Sequence, residues 1–309
     1  MSLGRTTKIL KRVFTEKYYL RIQLLARLAP LFSDNTFLKL LFPMKVGYQL
    51  DLANPRSFNE KLQWLKLYYH PKQCVKMVDK LEVKDLVASI IGEQHIIPTI
   101  SVFEKAEDVD FNQLPEKFVL KCTHDSGGVV VCKDKYHLDK RAAISKLKKG
   151  LKRNYFYQNR EWPYRYITPR IIAEQYMEDE SGELRDYKFF CFDGEPKVMF
   201  VATDRFNRSE ETKFDFYDME FHHLPFTNGH PNSSKRLEKP KGFEEMKELA
   251  SELSQGFPHV RIDLYDIDGE VYFGEMTFFH WSGMKPFDPV EWDYYLGSMI
   301  HLPRIKHNM

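Results

Sequence analysis

Three pairs of β-rich runs in this chain are separated by connections too short to carry the backbone around a sheet. Phe118–Thr123 and Val129–Cys132 flank His124-Asp125-Ser126-Gly127-Gly128. Asp186–Phe192 and Lys197–Thr203 flank a turn at Asp193-Gly194. Val260–Tyr265 and Val271–Thr277 flank Asp266-Ile267-Asp268-Gly269. A parallel neighbour needs a crossover of about a dozen residues or more, so each pair must return as an antiparallel hairpin. Helical patterns precede and separate these hairpins. Ser57–Tyr69 carries a capping-box signature, Ser57 with Glu60 three residues on. Lys76–Ile91 reads as a second helix stopped by Gly92, Lys140–Lys152 as a third and Phe243–Leu253 as a fourth. Ile96-Ile97 reads as a short strand, Ile171–Tyr176 as a longer one, and residues 204–240 as a polar stretch without period. Helices first, then two antiparallel lobes with interspersed helices, is an α+β pattern.

A chain of 309 residues is expected to form about two domains. Its apolar content of 43% and aromatic content of 15% are enough for a large, filled core and too high for disorder. No apolar run reaches the ~18 residues of a membrane span. Basic residues interrupt the N-terminus where a secretory signal would need an apolar stretch. The four cysteines, Cys74, Cys122, Cys132 and Cys191, show no CxxC spacing and read as reduced core thiols. The expected location is therefore cytoplasmic.

Charge is unevenly placed. The whole chain is +2, yet residues 1–50 carry +7 and the remainder −5. Within that basic segment Ile9, Leu10, Val13, Phe14, Leu20, Leu24, Leu25 and Leu28 recur at helical spacing. Residues 1–30 can thus lie on an anionic membrane surface, at the inner face of the cytoplasmic membrane, or pack on a neighbouring domain with a solvated basic face. A second basic stretch, Lys140 to Arg170, alternates with aromatics, but a net charge of +2 is not the footprint of a nucleic-acid binder.

The last hairpin holds the densest chemistry. A three-residue loop Ile267-Asp268-Gly269 would pair Tyr265 with Val271 and Asp263 with Phe273, putting Arg261, Asp263, Phe273 and Glu275 on one face. A two-residue loop would split Asp263 from Glu275 across the sheet. Two carboxylates on one face can converge on Mg²⁺, and Arg261 beside them can stabilise a transferring phosphoryl group. The plain alternative is a strand whose charges face solvent. In the first hairpin, the Gly-bearing loop can let backbone N–H groups approach phosphates, with Lys121 on the preceding strand as a point charge. No Gly-Lys-Ser/Thr follows, so it is not a Walker motif.

Five features stand in one order: Asp79-Lys80 with Lys84 one turn on; Phe118-Val-Leu-Lys121 before the Ser-Gly-Gly loop; Ala173-Glu174-Gln175-Tyr176; Asp186-Tyr-Lys188; and Arg261-Ile-Asp263 followed by Glu275-Met-Thr277. The ordered set resembles the ATP-grasp superfamily. The stretches SFNEKLQWLKLYYH, KFVLKCTHDSGG, RDYKFFCFDGEPKVMFVATDR and FPHVRIDLYDIDGEVYFGEMTFFHWSGM resemble its TupA-like, teichuronopeptide-biosynthesis branch.

The resemblance implies an ATP-grasp fold, two α+β lobes whose antiparallel sheets sandwich ATP. It covers roughly residues 50–300. The domain division expected from it is a basic helical segment 1–50, a helical region 51–115, a first lobe 116–175 with the Gly-rich loop, and a second lobe 176–309. It implies an acyl-phosphate made from a carboxylate and displaced by an amine, with ATP and two Mg²⁺ as cofactors. Lys80 and Lys121 resemble the phosphate-binding lysines, and Ser126, Gly127 and Gly128 the loop over the triphosphate. Glu174, Gln175 and Tyr176 resemble the adenine hinge. Asp186 and Lys188 fall where relatives have Asp-x-Arg, and Arg205 falls near a substrate-facing basic residue. Asp263, Glu275 and, more weakly, Thr277 resemble the Mg²⁺ ligands, with Arg261 beside them. Ser282-Gly283 resembles a turn that positions the substrate carboxylate, with His280 next to it. The implied product is an amide joining an amino acid or amino sugar to a sugar acid in a surface polysaccharide, the acceptor being free, lipid-linked or polymeric.

Phosphoryl transfer asks for positioned cations and metal ions and for no side-chain nucleophile, and no Ser/His/Asp or Cys/His arrangement is evident. His222-His223 with His230 make a poor chelate, because adjacent strand residues point to opposite sides. Rival readings are a glycosyltransferase using a nucleotide-sugar, which lacks a convincing acidic metal motif here, a kinase acting on a hydroxyl, and a non-catalytic nucleotide-binding scaffold.

Overall fold

A computed structural model of the chain describes residues 18–179, 184–203 and 211–304. Two helices, α1 (Tyr19–Arg27) and α2 (Asp34–Val46), lead into α3 (Phe58–Tyr68). The capping box of α3 is complete: the Glu60 N–H donates to the Ser57 hydroxyl, and Glu60 accepts from the Ser57 N–H. The single helix expected over Lys76–Ile91 is two, α4 (Cys74–Val78) and α5 (Glu82–Ile91). Asp79 makes the break, because its carboxylate accepts from the N–H groups of Leu81 (2.8 Å) and Glu82 (3.2 Å) and starts a new helix there. Lys80 therefore sits in a kink, not on a helix.

The first sheet comprises β1 (Thr99–Phe103), β2 (Phe118–Cys122), β3 (Val129–Cys132) and β4 (Ile171–Gln175), in the antiparallel order β1-β4-β2-β3. The strand expected at Ile96-Ile97 begins at Thr99, and Ile96 makes only an isolated bridge to Phe273. Helix α6 (Lys140–Leu151) covers this sheet, Ala143 and Leu147 packing with Phe118, Leu120, Ile171 and Ala173. A short turn of helix, α7 (Phe156–Asn159), follows.

The second sheet takes β5 (Asp186–Phe192), β6 (Glu195–Thr203), β7 (Lys213–Tyr217), β8 (His223–Leu224), β10 (His259–Ile267) and β11 (Glu270–Thr277), in the order β11-β10-β5-β6-β7-β8, while β9 (Thr227–Asn228) pairs with β12 (Phe287–Asp288). Every residue of β5 is buried. Phe189 packs against Phe243 of α8 (Phe243–Ser254) on one face, and Phe190 against Phe58 of α3 on the other. Helix α9 (Glu291–Ser298) closes the chain against α3, where Asp293 accepts from the Asn59 N–H at 2.9 Å. Residues 204–240, read as polar and aperiodic, contain β7. Its centre, Asp215, is buried and accepts from the Ser233 N–H at 3.1 Å, so a charged residue interrupts an otherwise aromatic strand.

The last hairpin differs from expectation in its turn. Ile267 pairs with Glu270, so the loop is the two-residue Asp268-Gly269, with φ of 57° and 104°. The ladder continues through Leu264 opposite Phe273, then slips at Gly274 so that Asp263 faces Glu275 and Arg261 faces Thr277. The bulge cancels the change of loop length, and the two carboxylates still share a face. Phe273 does not join them: it opposes Leu264 and is buried in the core. A Cβ on residue 274 would stand 2.9 Å from the Asp263 carbonyl oxygen, so only glycine allows this slip without a shift.

Candidate active site

Arg261 is the hub of the second sheet's polar face. Its Nε donates to Asp263 Oδ1 at 2.6 Å and its Nη2 to Asp263 Oδ2 at 2.7 Å. The same Nη2 reaches Glu275 Oε1 at 3.2 Å and Thr277 Oγ1 at 3.1 Å. Its Nη1 donates to His280 Nδ1 at 2.8 Å, which leaves the proton of that ring on Nε2, facing Asn228 Oδ1 at 3.0 Å. His280 is thereby neutral, and burial with the neighbouring Arg261 charge holds its pKa well below the ordinary value. From β5, Lys188 donates to Asp263 and pairs with Asp186 at 2.6 Å. Burial opposes the charge on Glu275, but Lys80, Lys188 and Arg261 outweigh it and hold the carboxyl down at about 2. The donors that Asp263, Glu275 and Thr277 present are all oxygen, which suits Mg²⁺ rather than zinc. Cations already balance this cluster, as a bound dication would.

Lysines from β2, from α5 and from the kink before it gather beside the first sheet. Glu174 on β4 is buried and forms ion pairs with Lys84 at 2.6 Å and Lys121 at 2.5 Å. Burial raises its pKa, but the two ammonium groups win and hold it below the ordinary carboxylate range. Lys84 also donates to the Ile97 carbonyl and the Thr99 hydroxyl. Lys80 bridges the halves: its Nζ donates to the Asp125 carbonyl at 3.1 Å and lies 3.7 Å from Glu275 Oε2. The Gly-bearing loop is latched at its base, where Arg153 donates to Asp125 Oδ1 at 2.8 Å and to the Ser126 carbonyl at 3.1 Å. Gly127 has φ of 98° at the exposed tip.

Trp281, Ser282 and Gly283 run consecutively in the left-handed region, with φ of 47°, 57° and 56°. Such backbone persists only where the surroundings hold it. Helix α3 does so from beneath. Gln63 donates to the Ser282 and Gly283 carbonyls at 3.1 and 2.8 Å, and Lys66 to the Ser282 carbonyl at 2.6 Å. Lys66 is buried and spends its remaining hydrogens on Gln63 Oε1 and the Asn159 carbonyl. Burial lowers its pKa to about 7. The Ser282 hydroxyl donates to Glu161, also buried. Sequence reasoning missed Lys66, Gln63 and Glu161. On a helix with a capping box the first two look like a solvated face, and no motif marks the third.

The structure therefore brings together Lys80, Lys121, Glu174, Asp186, Lys188, Arg261, Asp263, Glu275, Thr277, His280, Ser282 and the loop at Ser126–Gly128. Gln175 and Tyr176 stand at the exposed end of β4. The Tyr176 hydroxyl donates to Glu178 at 2.8 Å, and Lys117 and Lys133 lie over its ring. Arg205 lies outside the described residues. His223 pairs with Asp215 at 3.2 Å, and His222 joins Asp218 and Glu220 on an exposed turn, apart from the other two histidines of the weighed triad. All four cysteines are free and buried.

The family model for TupA-like ATP-grasp proteins matches residues 60–301. Among solved structures, the chain is similar to the D-alanine–D-alanine ligase from Bacillus anthracis complexed with ATP, at 16% identity and TM-score 0.38, covering 65% of this chain and 53% of that one. It is similar to the D-alanine–D-alanine ligase from Helicobacter pylori at 14% identity and TM-score 0.40, covering 81% and 70%. It is also similar to the ATP-grasp ligase PsnB complexed with minimal precursor, Mg and ADP, at 11% identity and TM-score 0.38, covering 71% and 57%. The chain spans about half the length of the first of these. No curated protein matches. The family match runs from α3 through both sheets to the end of α9 and takes in every strand that carries the polar cluster: the chain belongs to the TupA-like ATP-grasp family.

Proposed function

We propose that this protein is an ATP-dependent carboxylate–amine ligase. It forms an acyl-phosphate and then an amide, joining an amino acid or amino sugar to a sugar acid during surface-polysaccharide assembly. The observation that carries this reading is two sets of cations linked through one lysine. Lys84 on α5 and Lys121 on β2 share Glu174, Arg261 and Lys188 on the second sheet share Asp263, and Lys80 reaches both the Asp125 carbonyl and Glu275.

In this reading Lys80 and Lys121 bind the phosphates of ATP, and Ser126, Gly127 and Gly128 close over them. Glu174, Gln175 and Tyr176 stand at the adenine end, and Asp186 orients Lys188. Asp263, Glu275 and Thr277 would hold two Mg²⁺ ions, which supply neutralisation of the charge developing on the phosphoryl group. Arg261 and Lys188 balance the acyl-phosphate, and the Ser282-Gly283 turn with His280 seats the carboxylate. Arg205 supplies a further basic contact to substrate. Nothing here requires a side-chain nucleophile. The work is positioning and charge compensation.

The acceptor is a free, lipid-linked or polymeric glycan. Exposed Leu20, Leu24, Leu28 and Leu31, flanked by Arg21 and Arg27, support seating the N-terminal helices on the inner face of the cytoplasmic membrane. No helix among the described residues is long and apolar enough to cross one. Deleting residues 1–30 is expected to weaken binding to phosphatidylglycerol vesicles, and undiminished binding removes this seat.

The reaction is tested by ADP release with uronic acids and amines supplied singly and in pairs. The ligase reading expects ADP only when both are present. Phosphorylated product without an amine indicates a kinase, and nucleotide release from nucleotide-sugars alone indicates a glycosyltransferase.

A further inference from the structure

The carboxylates of the site are not equivalent. Glu174 is held by Lys84 and Lys121, Asp186 by Lys188, Asp263 by Arg261 and Lys188, and Glu275 by Arg261 with Lys80 nearby. Glu161 differs. It is 5% exposed, and among the described residues its bond is from the uncharged Ser282 hydroxyl. The nearby Lys66 ammonium lends it charge but no hydrogen, since all three of its hydrogens go to Gln63, Asn159 and Ser282. Burial pushes the Glu161 carboxyl up, against the pull of Lys66 and Arg261, so its charged form lacks a full partner.

Its surroundings place it at the reacting end of the site. Ser282, its hydrogen-bond donor, stands two residues after His280, which meets Arg261 at 2.8 Å. The Tyr164 ring lies 5.3 Å from that of Tyr155, tilted by 56°. The Ser282 turn thus joins Glu161 to the Arg261 cluster that carries Asp263 and Glu275. The other side chains proposed for the substrates, Lys80, Lys121, Lys188 and Arg261, are cations that suit phosphate. An ammonium nucleophile entering among them is drawn to a carboxylate, and Glu161, with Lys66 near but donating elsewhere, is the one whose oxygens no cation hydrogen-bonds among the described residues.

We propose that Glu161 binds the protonated amine of the acceptor and takes its proton. The step rests on the ligase reading and balances simply. The ammonium gives one proton to the Glu161 carboxylate. The freed nitrogen lone pair forms the C–N bond at the acyl-phosphate carbon, and the C–O bond to phosphate breaks with its electron pair on the leaving phosphate. The second amine proton leaves to phosphate or water. Ser282 holds the accepting carboxyl in place and ties it to the turn that seats the other substrate.

The test is thermal stabilisation of the wild type and Glu161→Gln, with Mg-ATP alone and with Mg-ADP plus a set of primary amines (the twenty amino acids, glucosamine and galactosamine) and their N-acetyl forms. Glutamine keeps the shape and the acceptor for Ser282 while removing the charge. The expected result is that Mg-ATP raises the Tm of both proteins equally. At least one free amine further raises the wild type but not the variant, and N-acetyl forms raise neither. Equal amine stabilisation of both proteins, or none in the wild type, overturns the inference. If Glu161→Gln does not fold, Glu161→Asp, which withdraws the carboxylate by one methylene, is expected to lose most of the amine effect, and an undiminished effect overturns the inference. Absence of any Mg-ATP effect in the wild type overturns the ligase reading itself and this proposal with it. With an active pair in hand, Glu161→Gln is expected to slow amide formation about 10²–10⁴-fold. Hydroxamate formation with hydroxylamine, which is uncharged at neutral pH, should stay near wild type. A merely structural role would depress both.

Discussion

Removing Arg261 exposes the energetic logic of the central cluster. Its guanidinium makes two bonds to Asp263 at 2.6 and 2.7 Å and single bonds to Glu275, Thr277 and His280. Asp263 is 1% exposed, so after Arg261→Met its charge is left to Lys188 alone. Stripping one partner from a buried pair costs about 3–5 kcal/mol. In a chain this large each kcal/mol moves Tm by roughly 2–4 °C, so the melt should fall by about 6–20 °C. Asp263→Leu should cost a similar amount, because Arg261 then keeps only half-buried Glu275 as an anionic partner. The double variant removes both charges and both penalties, and Lys188 retains Asp186 at 2.6 Å. Its cost should therefore fall short of the sum of the singles by at least ~2 kcal/mol. Urea denaturation followed by circular dichroism measures all three. Additivity within about 0.5 kcal/mol would refute the reasoning, since uncoupled sites add in that way.

Gly283→Ala puts a Cβ 2.5 Å from Gln63 Nε2 and 3.0 Å from the Asn59 carbonyl at a φ of 56°, and should destabilise by about 1–3 kcal/mol while Mg-ATP still stabilises the protein. Acid should act through buried histidines. Burial lowers the His259 pKa to about 3 and, with Arg261, holds His280 well below 6.5. Below pH 6.5 the unfolded chain binds protons that the folded chain refuses, so stability is complete above 6.5 and lost as pH falls. His259 alone should remove about 2 kcal/mol by pH 5, with His280 adding in the same direction, and a flat melt from pH 6.5 to 5 contradicts their neutral burial. Lys121→Ala should weaken Mg-ATP binding about 10–100-fold through loss of a charge-assisted bond, and unchanged affinity by isothermal titration removes Lys121 from the phosphate site.

Antiparallel topology was legible because turn length is a local property. Asp193-Gly194 joins β5 to β6 as expected, with φ of 49° and 86°. The shared face of Asp263 and Glu275 was legible for a less secure reason. The loop is one residue shorter than read, and the bulge at Gly274 restores the face that the shorter loop would have lost. Bulges depend on a close backbone approach that no single-strand pattern reveals. The break at Asp79 was hidden because an aspartate inside an apolar-periodic run looks like a helix surface residue until its carboxylate is seen capping Leu81. Strand β7 was hidden by Asp215, whose burial depends on Ser233 and His223 elsewhere in the chain. Lys66 and Glu161 lie on different segments and gain meaning only when the Ser282 turn lies between them.

The measurement that tests the central claim most directly is thermal stability with and without Mg-ATP in the wild type and in Glu275→Ala. At about 100 times its dissociation constant a ligand adds ~2.7 kcal/mol, a rise of about 5–10 °C for this chain. The account predicts that rise in the wild type and its loss in Glu275→Ala, with the unliganded variant still folding cooperatively. An equal rise in both proteins would show that nucleotide binds without the Glu275 carboxylate, and no rise in the wild type would contradict an ATP site between the lobes.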